Sequence, residues 1–339
     1  MDRPLVAVVL AGGVGSRLYP ASRRHRPKQF LALTGEKRRT GADDSLLERT
    51  VARAAFADEV VVSTRPAFAD DVRDRVPEVS LIVEPAGKDT GPALAYATRR
   101  VAERFDDPVV LALPSDHYVA GDFEAAARRG VRVAAETESL VTFGVEPTRP
   151  DTGYGYIEPG HDRGDYADVA AFHEKPDAET ARQYVEQGYY WNAGIFAWTP
   201  EAFRTAARDT PLGPLIAADD PAAGFGAVAP VSVDTAVFEQ AENVVVVPLD
   251  IEWDDLGSWD ALQRVLPADD DGTVVAGDAT VVSVDAENNV VAGDDVHVSL
   301  VGVENLAVVA YDDRVLVVPT AAAQRVRELV AELERRGEF

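Results

Sequence analysis

Continuous apolar runs alternate with amphipathic segments over most of the chain. Because these runs are rich in valine, isoleucine and leucine and lack polar alternation, they predict buried strands, and the segments between them predict helices. The predicted strands are 5–11, 60–63, 81–83, 109–113, 141–144 and 244–247. The predicted helices are 45–57, 67–75, 91–104 and 122–136. This alternation is typical of βαβ units, so we expect an α/β fold with a mostly parallel sheet and helices on both faces.

The pattern changes at about position 267, where short valine-rich runs follow each other without helices. Aspartate and glycine clusters separate these runs, and an amphipathic helix is predicted over 321–336. Such a series is compatible with the rungs of a β-helix. We therefore predict a first domain over 1–266 and a small all-β, β-helix-like domain over 267–339, in which His297 is an ordinary strand residue. The runs are 273–275, 280–284, 289–291, 296–300, 306–309 and 315–318.

A glycine-rich turn follows the first predicted strand. Gly12, Gly13 and Gly15 allow positive φ angles and let the backbone approach a ligand closely. Exposed N–H groups in such a turn bind anions, and Arg17 and Lys28 add positive charge nearby. In an α/β sheet, ligands lie beyond the carboxyl ends of the strands, where this turn is expected. The pattern favours a site for a polyphosphate.

Two better-known phosphate loops do not match this turn. A Walker A loop ends in Gly-Lys-Ser/Thr, whereas Gly15 is followed by Ser16 and Arg17. The dinucleotide motif needs a third glycine where Leu18 stands. A plain glycine turn at a sheet edge is the alternative for 12–17 alone, but the Pro-Lys-Gln-Phe sequence at 27–30 favours phosphate binding.

The composition excludes several classes of protein. The 339 residues include 58 acidic and 33 basic side chains, giving a net charge of −25, which argues against a nucleic-acid partner because that binding needs a cationic surface. No apolar run is long enough to predict a membrane span. No signal-peptide pattern precedes the first strand, so we expect a cytoplasmic location. The absence of cysteine excludes disulfides and thiolate metal sites.

Lysine is scarce, and arginine supplies most of the basic side chains. The acidic, lysine-poor composition resembles that of proteins adapted to concentrated salt, where screening removes the self-repulsion of the acidic groups. We therefore expect a halophilic protein. Lysine occurs at Lys28, Lys37, Lys88 and Lys175.

Two aspartates are candidate ligands for a divalent metal. Asp116 follows the strand predicted at 109–113, and Asp255 lies in a turn between two tryptophans. Mg²⁺ prefers one or two carboxylates together with phosphate oxygens and water, which suits phosphoryl or nucleotidyl transfer. Asp254, next to Asp255, is a competing ligand.

The segment Phe-His-Glu-Lys-Pro at 172–176 places an acid beside a base. Because a proline follows Lys175, we expect an extended backbone there, with the side chains of Glu174 and Lys175 on opposite faces and no ion pair between them. One could bind sugar hydroxyls and the other a phosphate. Asn192, in an apolar frame, suits hydroxyl recognition, although a packed strand amide is the alternative.

Taken together, these segments resemble those of mannose-1-phosphate guanylyltransferases, in the same order and over nearly the whole chain. The Gly-Gly-x-Gly-x-Arg-Leu element is shared by sugar nucleotidyltransferases in general. The Pro-Lys-Gln-Phe, Trp-Asn-x-Gly-Ile-Phe and Asp-x-Gly-Ser-Trp elements are more selective. The segments are 10–30, 114–117, 152–157, 172–176, 191–196, 232–234 and 253–259.

The resemblance implies a Rossmann-like nucleotidyltransferase sheet and the transfer of GMP from GTP to α-D-mannose 1-phosphate, with Mg²⁺ as cofactor. It implies Asp116 and Asp255 as metal ligands and a catalytic set of Arg17, Lys28, Asp116 and Lys175. The sugar phosphate would be bound by Tyr154, Gly155, Glu174, Lys175 and Asn192. The nucleotide would be bound by Leu10, Ala11, Gly12, Gly13, Gly15, Ser16, Arg17, Lys28, Pro85, Thr90 and Ser115, with base contacts from 10–12 and 84–90.

The chain departs from the family pattern at three places. Tyr19 stands where tryptophan is usual, which is a mild change. Lys88-Asp89-Thr90 stands where Arg-Asn-Thr is common, in a loop that helps to read the base, so the resemblance implies the reaction class more firmly than the choice of guanine. The polar loop at 35–44 is longer than usual and has no assigned role. The alternatives are a nucleotidyltransferase for another nucleotide or hexose 1-phosphate, or a non-catalytic sugar-nucleotide sensor. A homodimer is one assembly that the sequence allows.

Overall fold

The computed structural model describes residues 3–33 and 44–339. Most of the loop predicted at 35–44 therefore lies outside the described residues.

The strands are β1 (Leu5–Leu10), β2 (Glu59–Thr64), β3 (Ser80–Val83), β4 (Val109–Pro114), β5 (Tyr118–Ala120), β6 (Leu140–Val145), β7 (Tyr156–Asp162), β8 (Ala167–His173), β9 (Tyr190–Trp198), β10 (Val244–Leu249), β11 (Glu252–Asp254), β12 (Val274–Gly277), β13 (Thr280–Val284), β14 (Val290–Gly293), β15 (His297–Val301), β16 (Leu306–Tyr311) and β17 (Arg314–Pro319).

The helices predicted at 45–57, 67–75, 91–104, 122–136 and 321–336 are present with shifted ends, whereas the α-helices between 178 and 265 were not predicted. The described residues form ten α-helices. They are α1 (Leu46–Arg53), α2 (Ala69–Arg75), α3 (Thr90–Ala102), α4 (Phe123–Thr137), α5 (Ala178–Glu186), α6 (Pro200–Ala207), α7 (Gly213–Ala217), α8 (Pro221–Ala227), α9 (Leu262–Val265) and α10 (Val326–Arg336). Short 3₁₀ helices cover Ser16–Leu18, Lys28–Phe30, Pro66–Phe68, Trp259–Ala261 and Thr320–Arg325, and Asp234–Phe238 is a π-helix. No helix of the described part of the chain is both long and apolar enough to span a membrane.

By contact, the chain divides into two compact units. The first unit comprises Met1–Gly12, Thr50–Pro114 and Val119–Trp253. The second unit comprises Gly13–Arg49, Ser115–Tyr118 and Asp254–Phe339. The change in sequence pattern at 266/267 therefore falls inside the second unit, which also includes the glycine turn.

The first unit is built on a nine-stranded sheet with the order β3-β2-β1-β4-β9-β6-β10-β8-β7. The strands β3, β2, β1 and β4 are parallel to their neighbours, as are β6 and β10. The pairings of β9 with its neighbours, of β8 with β10 and of β7 with β8 are antiparallel. The sheet is thus mixed, and its parallel share is smaller than predicted, because a short connection turns β7 directly into β8 as a hairpin.

Helices cover both faces of this sheet. Val6 and Val8 of β1 and Leu94 of α3 belong to one buried cluster, which places α3 on one face. Phe143 of β6 lies against Gly130 of α4, where an added Cβ would come within 2.2 Å of the phenyl ring. Since Leu140 of β6 belongs to the α3 cluster and is three residues from Phe143, the two side chains point to opposite faces. The predicted α/β architecture is confirmed.

The second unit contains the β-helix-like part of the chain. Strands β12, β14 and β16 run parallel in one sheet that ends with antiparallel β17, and β13 and β15 pair in a second sheet. Val291 of the first sheet and Leu300 of the second share an apolar cluster, so the two sheets face each other. Neighbouring strands within each sheet belong to successive rungs. His297 is the first residue of β15, which confirms it as a strand residue.

The opposite face of the β12-β14-β16-β17 sheet covers the segment that follows the glycine turn. Val290 and Val309 from this sheet, Leu18 and Leu31 from the early segment, and Val330 of α10 form one buried cluster. Trp259 is fully buried there, and its indole N–H donates to the Tyr19 carbonyl at 2.9 Å. Residues at the two ends of the sequence therefore share one core.

Candidate functional site

Gly15 adopts a backbone conformation that favours glycine. Its φ is 70°, and an added Cβ would lie 2.4 Å from the Cβ of Lys28. The Lys28 N–H donates to the Val14 carbonyl at 2.9 Å, which fixes the Lys28 backbone against the turn. Gly12 and Gly13 do not have positive φ, so that part of the prediction was wrong. No atom lies within 4 Å of a Cβ placed on Gly13, so its backbone is open on that side.

The Lys28 ammonium brings the two predicted metal ligands together. Its Nζ lies 2.9 Å from Asp116 Oδ2 and donates to the backbone carbonyl of Asp255 at 2.5 Å. Only 5% of the Lys28 side chain is exposed, compared with 31% for Asp116. A buried ammonium is costly unless it is paired and hydrogen-bonded, and these two oxygens satisfy it.

Asp116 is held in its ionised form. Burial acts to raise its pKa, but the charges of Lys28 and His117 and the hydrogen bond from Lys28 outweigh burial and place the pKa below the ordinary value. The carboxylate is therefore available at neutral pH as a ligand for a cation.

Asp255 and Asp254 have different partners. Asp255 Oδ1 accepts from the Gly257 N–H at 2.9 Å, and its Oδ2 lies 3.8 Å from Arg17 Nη2. Asp254 Oδ2 lies 2.7 Å from Arg264 Nε, with 4% of the Asp254 side chain exposed. A buried ion pair of this kind is structural, so Asp254 is the weaker candidate for a metal ligand.

The donor set fits a hard divalent cation. Asp116 supplies a carboxylate paired with Lys28, and Asp255, whose backbone carbonyl accepts from Lys28, supplies a second carboxylate near Arg17. Mg²⁺ takes its other ligands from phosphate oxygens and water. Within residues 3–33 and 44–339, no group of three or more His, Asp or Glu side chains forms a ready-made metal cage. The arrangement therefore suits a metal that is completed by substrate rather than a structural metal.

The expectation that Glu174 and Lys175 point apart was wrong. Lys175 has a φ of 42°, and its Nζ forms an ion pair with Glu174 Oε1. The positive φ interrupts the alternation of an extended strand directly after β8, so the neighbouring side chains lie on the same side. Proline at the next position did not impose an extended backbone on Lys175.

The residues predicted to bind the sugar converge in the first unit. A Cβ on Gly155 would lie 2.8 Å from Glu174 Oε2 and 3.7 Å from the Cβ of Asn192, so the glycine makes room for the carboxylate. The Asn192 N–H donates to the Gly155 carbonyl at 2.9 Å. The Asn192 amide donates to Asp234 Oδ1 at 2.7 Å. Burial raises the pKa of Asp234, and the negative charge of Glu174 acts in the same direction. The hydrogen bond from Asn192 opposes this shift.

Asp234 is a part of this cluster to which the sequence reasoning assigned no role. Its position in the resembling segment 232–234 was noted, but no spacing rule connects it to Asn192. The contact depends on a long-range approach of the π-helix at 234–238 to β9, which local patterns do not encode.

Tyr154 lies in an aromatic cluster. Its ring packs edge-on against Trp191 at 5.0 Å and Trp253 at 5.2 Å between ring centroids. The Arg149 guanidinium lies 4.9 Å from the Trp191 ring centroid and donates to the Tyr154 hydroxyl at 3.4 Å. Because Tyr154 is buried, the cluster fixes the turn that carries Gly155.

Glu84 lies beside the first residues of the glycine turn. Its Oε1 is 3.4 Å from a Cβ placed on Gly12, and it accepts from the Ser63 hydroxyl at 3.3 Å. Burial raises the pKa of Glu84 to about 7, although the Ser63 hydrogen bond and the charge of Arg65 oppose the shift. Ala11 is fixed on β2 because its carbonyl accepts from the Thr64 hydroxyl at 2.8 Å.

Lys88 and Thr90, two other residues predicted to contact the base, hold neighbouring backbone groups. The Lys88 ammonium donates to the carbonyls of Phe225 and Val228 at 2.7 and 2.5 Å. The Thr90 hydroxyl accepts from the Val233 N–H at 3.0 Å. Of the remaining predicted residues, Leu10 ends β1, Ser16 begins a 3₁₀ helix, Pro85 is exposed and Ser115 is buried.

Comparison with known proteins identifies the family of this chain. The nucleotidyl transferase family profile matches residues 6–272, and a mannose-phosphate isomerase/GMP-like β-helix profile matches residues 279–333. This chain belongs to the nucleotidyl transferase family. Enzymes of this family generally use a divalent metal.

Individual relatives match this nucleotidyl transferase over almost its whole length. The xanthan biosynthesis protein XanB of Xanthomonas campestris pv. campestris is 37% identical over 98% of the chain and 74% of the relative. A mannose-1-phosphate guanylyltransferase of Klebsiella pneumoniae is 36% identical over 99% of the chain and 75% of the relative. A crystal structure from Thermus thermophilus, named a mannose-1-phosphate geranyltransferase, has a TM-score of 0.87 and 36% identity, and covers 98% of this chain and 99% of that one. The resemblance predicted from the motifs is confirmed.

The raised pKa of Glu84 predicts a pH-dependent cost to stability. The folded state retains a proton on Glu84 up to about pH 7, whereas the unfolded state loses it near the ordinary value of 4.5, so stability falls as pH rises through this window. Glu84→Gln removes the ionisation. We expect its melting temperature to equal that of the wild type near pH 4.5 and to exceed it above pH 7, by the equivalent of about 3 kcal/mol at most.

The control is Glu78→Gln, because Glu78 is exposed and its carboxylate is solvated in both states. Melting curves for this variant and the wild type should stay parallel across the same pH range. A Glu84→Gln difference that does not grow with pH would contradict the assignment.

Proposed function

We propose that this nucleotidyl transferase moves GMP from GTP to α-D-mannose 1-phosphate, giving GDP-mannose and pyrophosphate. The observation that carries the proposal is the arrangement of Lys28 with Asp116 and Asp255, next to the turn that carries Gly15 and Arg17. Nucleotidyl transfer needs little covalent chemistry from a protein. It needs positioned cations for the departing phosphates and carboxylates for a metal, which this arrangement provides.

In this reaction an oxygen of the sugar phosphate attacks the α-phosphorus of GTP in line. A new P–O bond forms as the bond between the α-phosphorus and the bridging oxygen breaks, and pyrophosphate leaves with the electron pair. The backbone of Gly13, Gly15 and Ser16 binds the triphosphate. Arg17 and Lys28 neutralise the charge that develops on the pyrophosphate.

The metal in this proposal is Mg²⁺, held by Asp116 and Asp255. When bound, it supplies charge neutralisation at the reacting phosphate. Lys28 contributes separately, because its charge keeps Asp116 ionised. Its side chain also links the Asp116 carboxylate to the backbone of Asp255, and the Gly257 N–H holds the Asp255 carboxylate.

The sugar phosphate is assigned to the cluster in the first unit. Glu174 and Asn192 accept and donate hydrogen bonds to mannose hydroxyls, and the turn of Tyr154 and Gly155 packs on the ring. Lys175 binds the phosphate, for which its ammonium leaves the ion pair with Glu174. Such an exchange costs little, because the lysine side chain is 62% exposed and the pair is screened by water.

Guanine is assigned to Leu10, Ala11 and Gly12, together with the segment at 84–90 that includes Pro85 and Thr90. Glu84 provides the chemical basis for the preference. Its carboxyl group lies beside Gly12, and burial raises its pKa to about 7. In its ionised form it can accept from the N1–H and the exocyclic amino group of guanine, and these two donors would favour that form. Adenine has no N1–H, so it would leave one carboxylate oxygen unpaired, and a buried unpaired acceptor is costly.

The experiment that tests the function is pyrophosphate release with mannose 1-phosphate and a divalent metal in high KCl. GTP, ATP, UTP, CTP and dTTP are each supplied separately. We expect release with GTP and little with the others. Release with a different nucleotide would support nucleotidyl transfer but contradict the assignment of Glu84 to guanine. No release with any nucleotide or hexose 1-phosphate, from folded protein, would favour a non-catalytic sensor.

The role of Lys175 predicts an asymmetric kinetic effect. Lys175→Ala removes the cation that binds the sugar phosphate but leaves the triphosphate contacts intact. We expect the KM for mannose 1-phosphate to rise roughly tenfold or more, as loss of a charge-assisted hydrogen bond implies, with little change in the KM for GTP.

A matched control is Arg182→Ala, which removes an exposed cation that is paired with Glu179 on α5. It should leave both KM values unchanged. An unchanged KM for mannose 1-phosphate in Lys175→Ala, or an equal rise for GTP, would contradict the assignment of Lys175.

Four further expectations from the sequence stay predictions. They are the identity of the metal as Mg²⁺, a homodimeric assembly, a cytoplasmic location and adaptation to high salt.

A further inference from the structure

The guanidinium of Arg17 is held by a residue from the other end of the sequence. Arg17 Nη1 donates to Gln324 Oε1 at 3.1 Å, and Nη2 lies 3.8 Å from Asp255 Oδ2. The Arg17 side chain is 39% exposed, so part of the guanidinium can reach a ligand. All three residues lie in the second unit.

Gln324 is itself oriented by its other amide atom. Gln324 Nε2 donates to the Ser258 hydroxyl at 2.9 Å, and that hydroxyl donates to Asp260 Oδ1 at 2.5 Å. Since Ser258 uses its single proton on Asp260, it can only accept from Gln324. The amide nitrogen is therefore fixed on Ser258, and the amide oxygen is directed at Arg17.

The network of hydrogen bonds and ion pairs extends to the turn that carries Asp255, a predicted metal ligand. Asp260 Oδ2 lies 2.8 Å from Arg264 Nη1, and Arg264 Nε lies 2.7 Å from Asp254 Oδ2. Asp254 Oδ1 in turn accepts from the Leu256 N–H at 2.8 Å. The same network thus supports the backbone on both sides of Asp255.

The segment that carries Gln324 is firmly placed. It is the 3₁₀ helix Thr320–Arg325, which follows β17 of the β-helix-like part. The Thr320 N–H donates to the Asn305 carbonyl at 2.8 Å, and Ala323 is buried in the core of the second unit. Gln324 is therefore presented by an ordered element rather than by a free terminus.

We infer that Gln324 is a positioning residue for Arg17, so that the β-helix-like part contributes to triphosphate binding. An amide is suited to this role, because it orients the guanidinium without neutralising its charge. A carboxylate at the same place would pair with Arg17 and compete with the phosphates. The inference rests on the proposed function, in which Arg17 binds the triphosphate.

The test compares Gln324→Ala, Gln324→Glu and the control Gln263→Ala. Gln263 is a suitable match, because its amide donates to the Asn288 carbonyl at 2.9 Å and does not contact Arg17. We expect Gln324→Ala to raise the KM for GTP by ~3- to 10-fold, the size of one ordinary hydrogen bond, because Gln324 acts on GTP only through Arg17. Gln324→Glu should raise it further, and Gln263→Ala should not change it. The KM for mannose 1-phosphate and the melting temperature should stay constant in all three.

A double-mutant cycle with Arg17→Ala shows whether Gln324 acts through Arg17. In the Arg17→Ala background, Gln324→Ala should have no further effect on the KM for GTP. Additive effects, or equal changes in both KM values, would overturn the inference by showing a general structural role.

The same cycle separates the inference from the proposed function. If Arg17→Ala weakens GTP and Gln324→Ala behaves like Gln263→Ala, the inference fails and the proposed function stands. If Arg17→Ala itself leaves GTP unaffected, the assignment of Arg17 to the triphosphate fails, and the inference fails with it.

Discussion

The arrangement of the candidate site depends on one buried charge, the ammonium of Lys28. Placing a cation where only 5% of its side chain reaches solvent requires an ionised partner and hydrogen-bond acceptors. Asp116 and the carbonyl of Asp255 meet this requirement, and breaking such a pair costs about 3–5 kcal/mol in typical proteins. Lys28 therefore holds the Asp116 carboxylate in place and ionised, and it fixes the backbone of Asp255 through its carbonyl.

The conformation of the glycine turn depends on the same lysine. Gly15 has no Cβ, and the Cβ of Lys28 occupies the space that one would need. Arg17 follows two residues later and is directed by Gln324 and Asp255. Cations that are fixed before substrate arrives need no reorganisation during the reaction, which is the condition for electrostatic stabilisation of a departing pyrophosphate.

Much of this could be read from the sequence. Continuous apolar runs identified six of the nine strands of the large sheet, and the antiparallel strands β7, β8 and β9 were not predicted. The change in spacing at about 267 identified the β-helix-like strands. The turn at 12–17, Lys28, Asp116 and Asp255 were selected as candidates because phosphate and metal chemistry restrict the residue types. The structure places Lys28 in contact with both aspartates. The ion pair of Glu174 with Lys175 was missed, because a positive φ at a residue before proline runs against the local preference.

Contacts between residues far apart in sequence could not be predicted in the same way. Gln324 is 307 positions from Arg17, and no periodic pattern links them. The shared core of Leu18, Leu31 and Val330 likewise arises only when the two ends of the chain fold together. The sheet was expected to be more parallel than it is, since apolar runs do not record strand direction.

The measurement that tests the account most directly is the dissociation constant of GTP for Lys28→Met, determined by calorimetry without metal. Methionine preserves the length of the side chain and removes its charge. If Lys28 holds the triphosphate, the constant should rise roughly 10- to 100-fold in protein that melts as a single folded species. An unchanged constant would contradict the account, because the buried ammonium would then serve the fold alone.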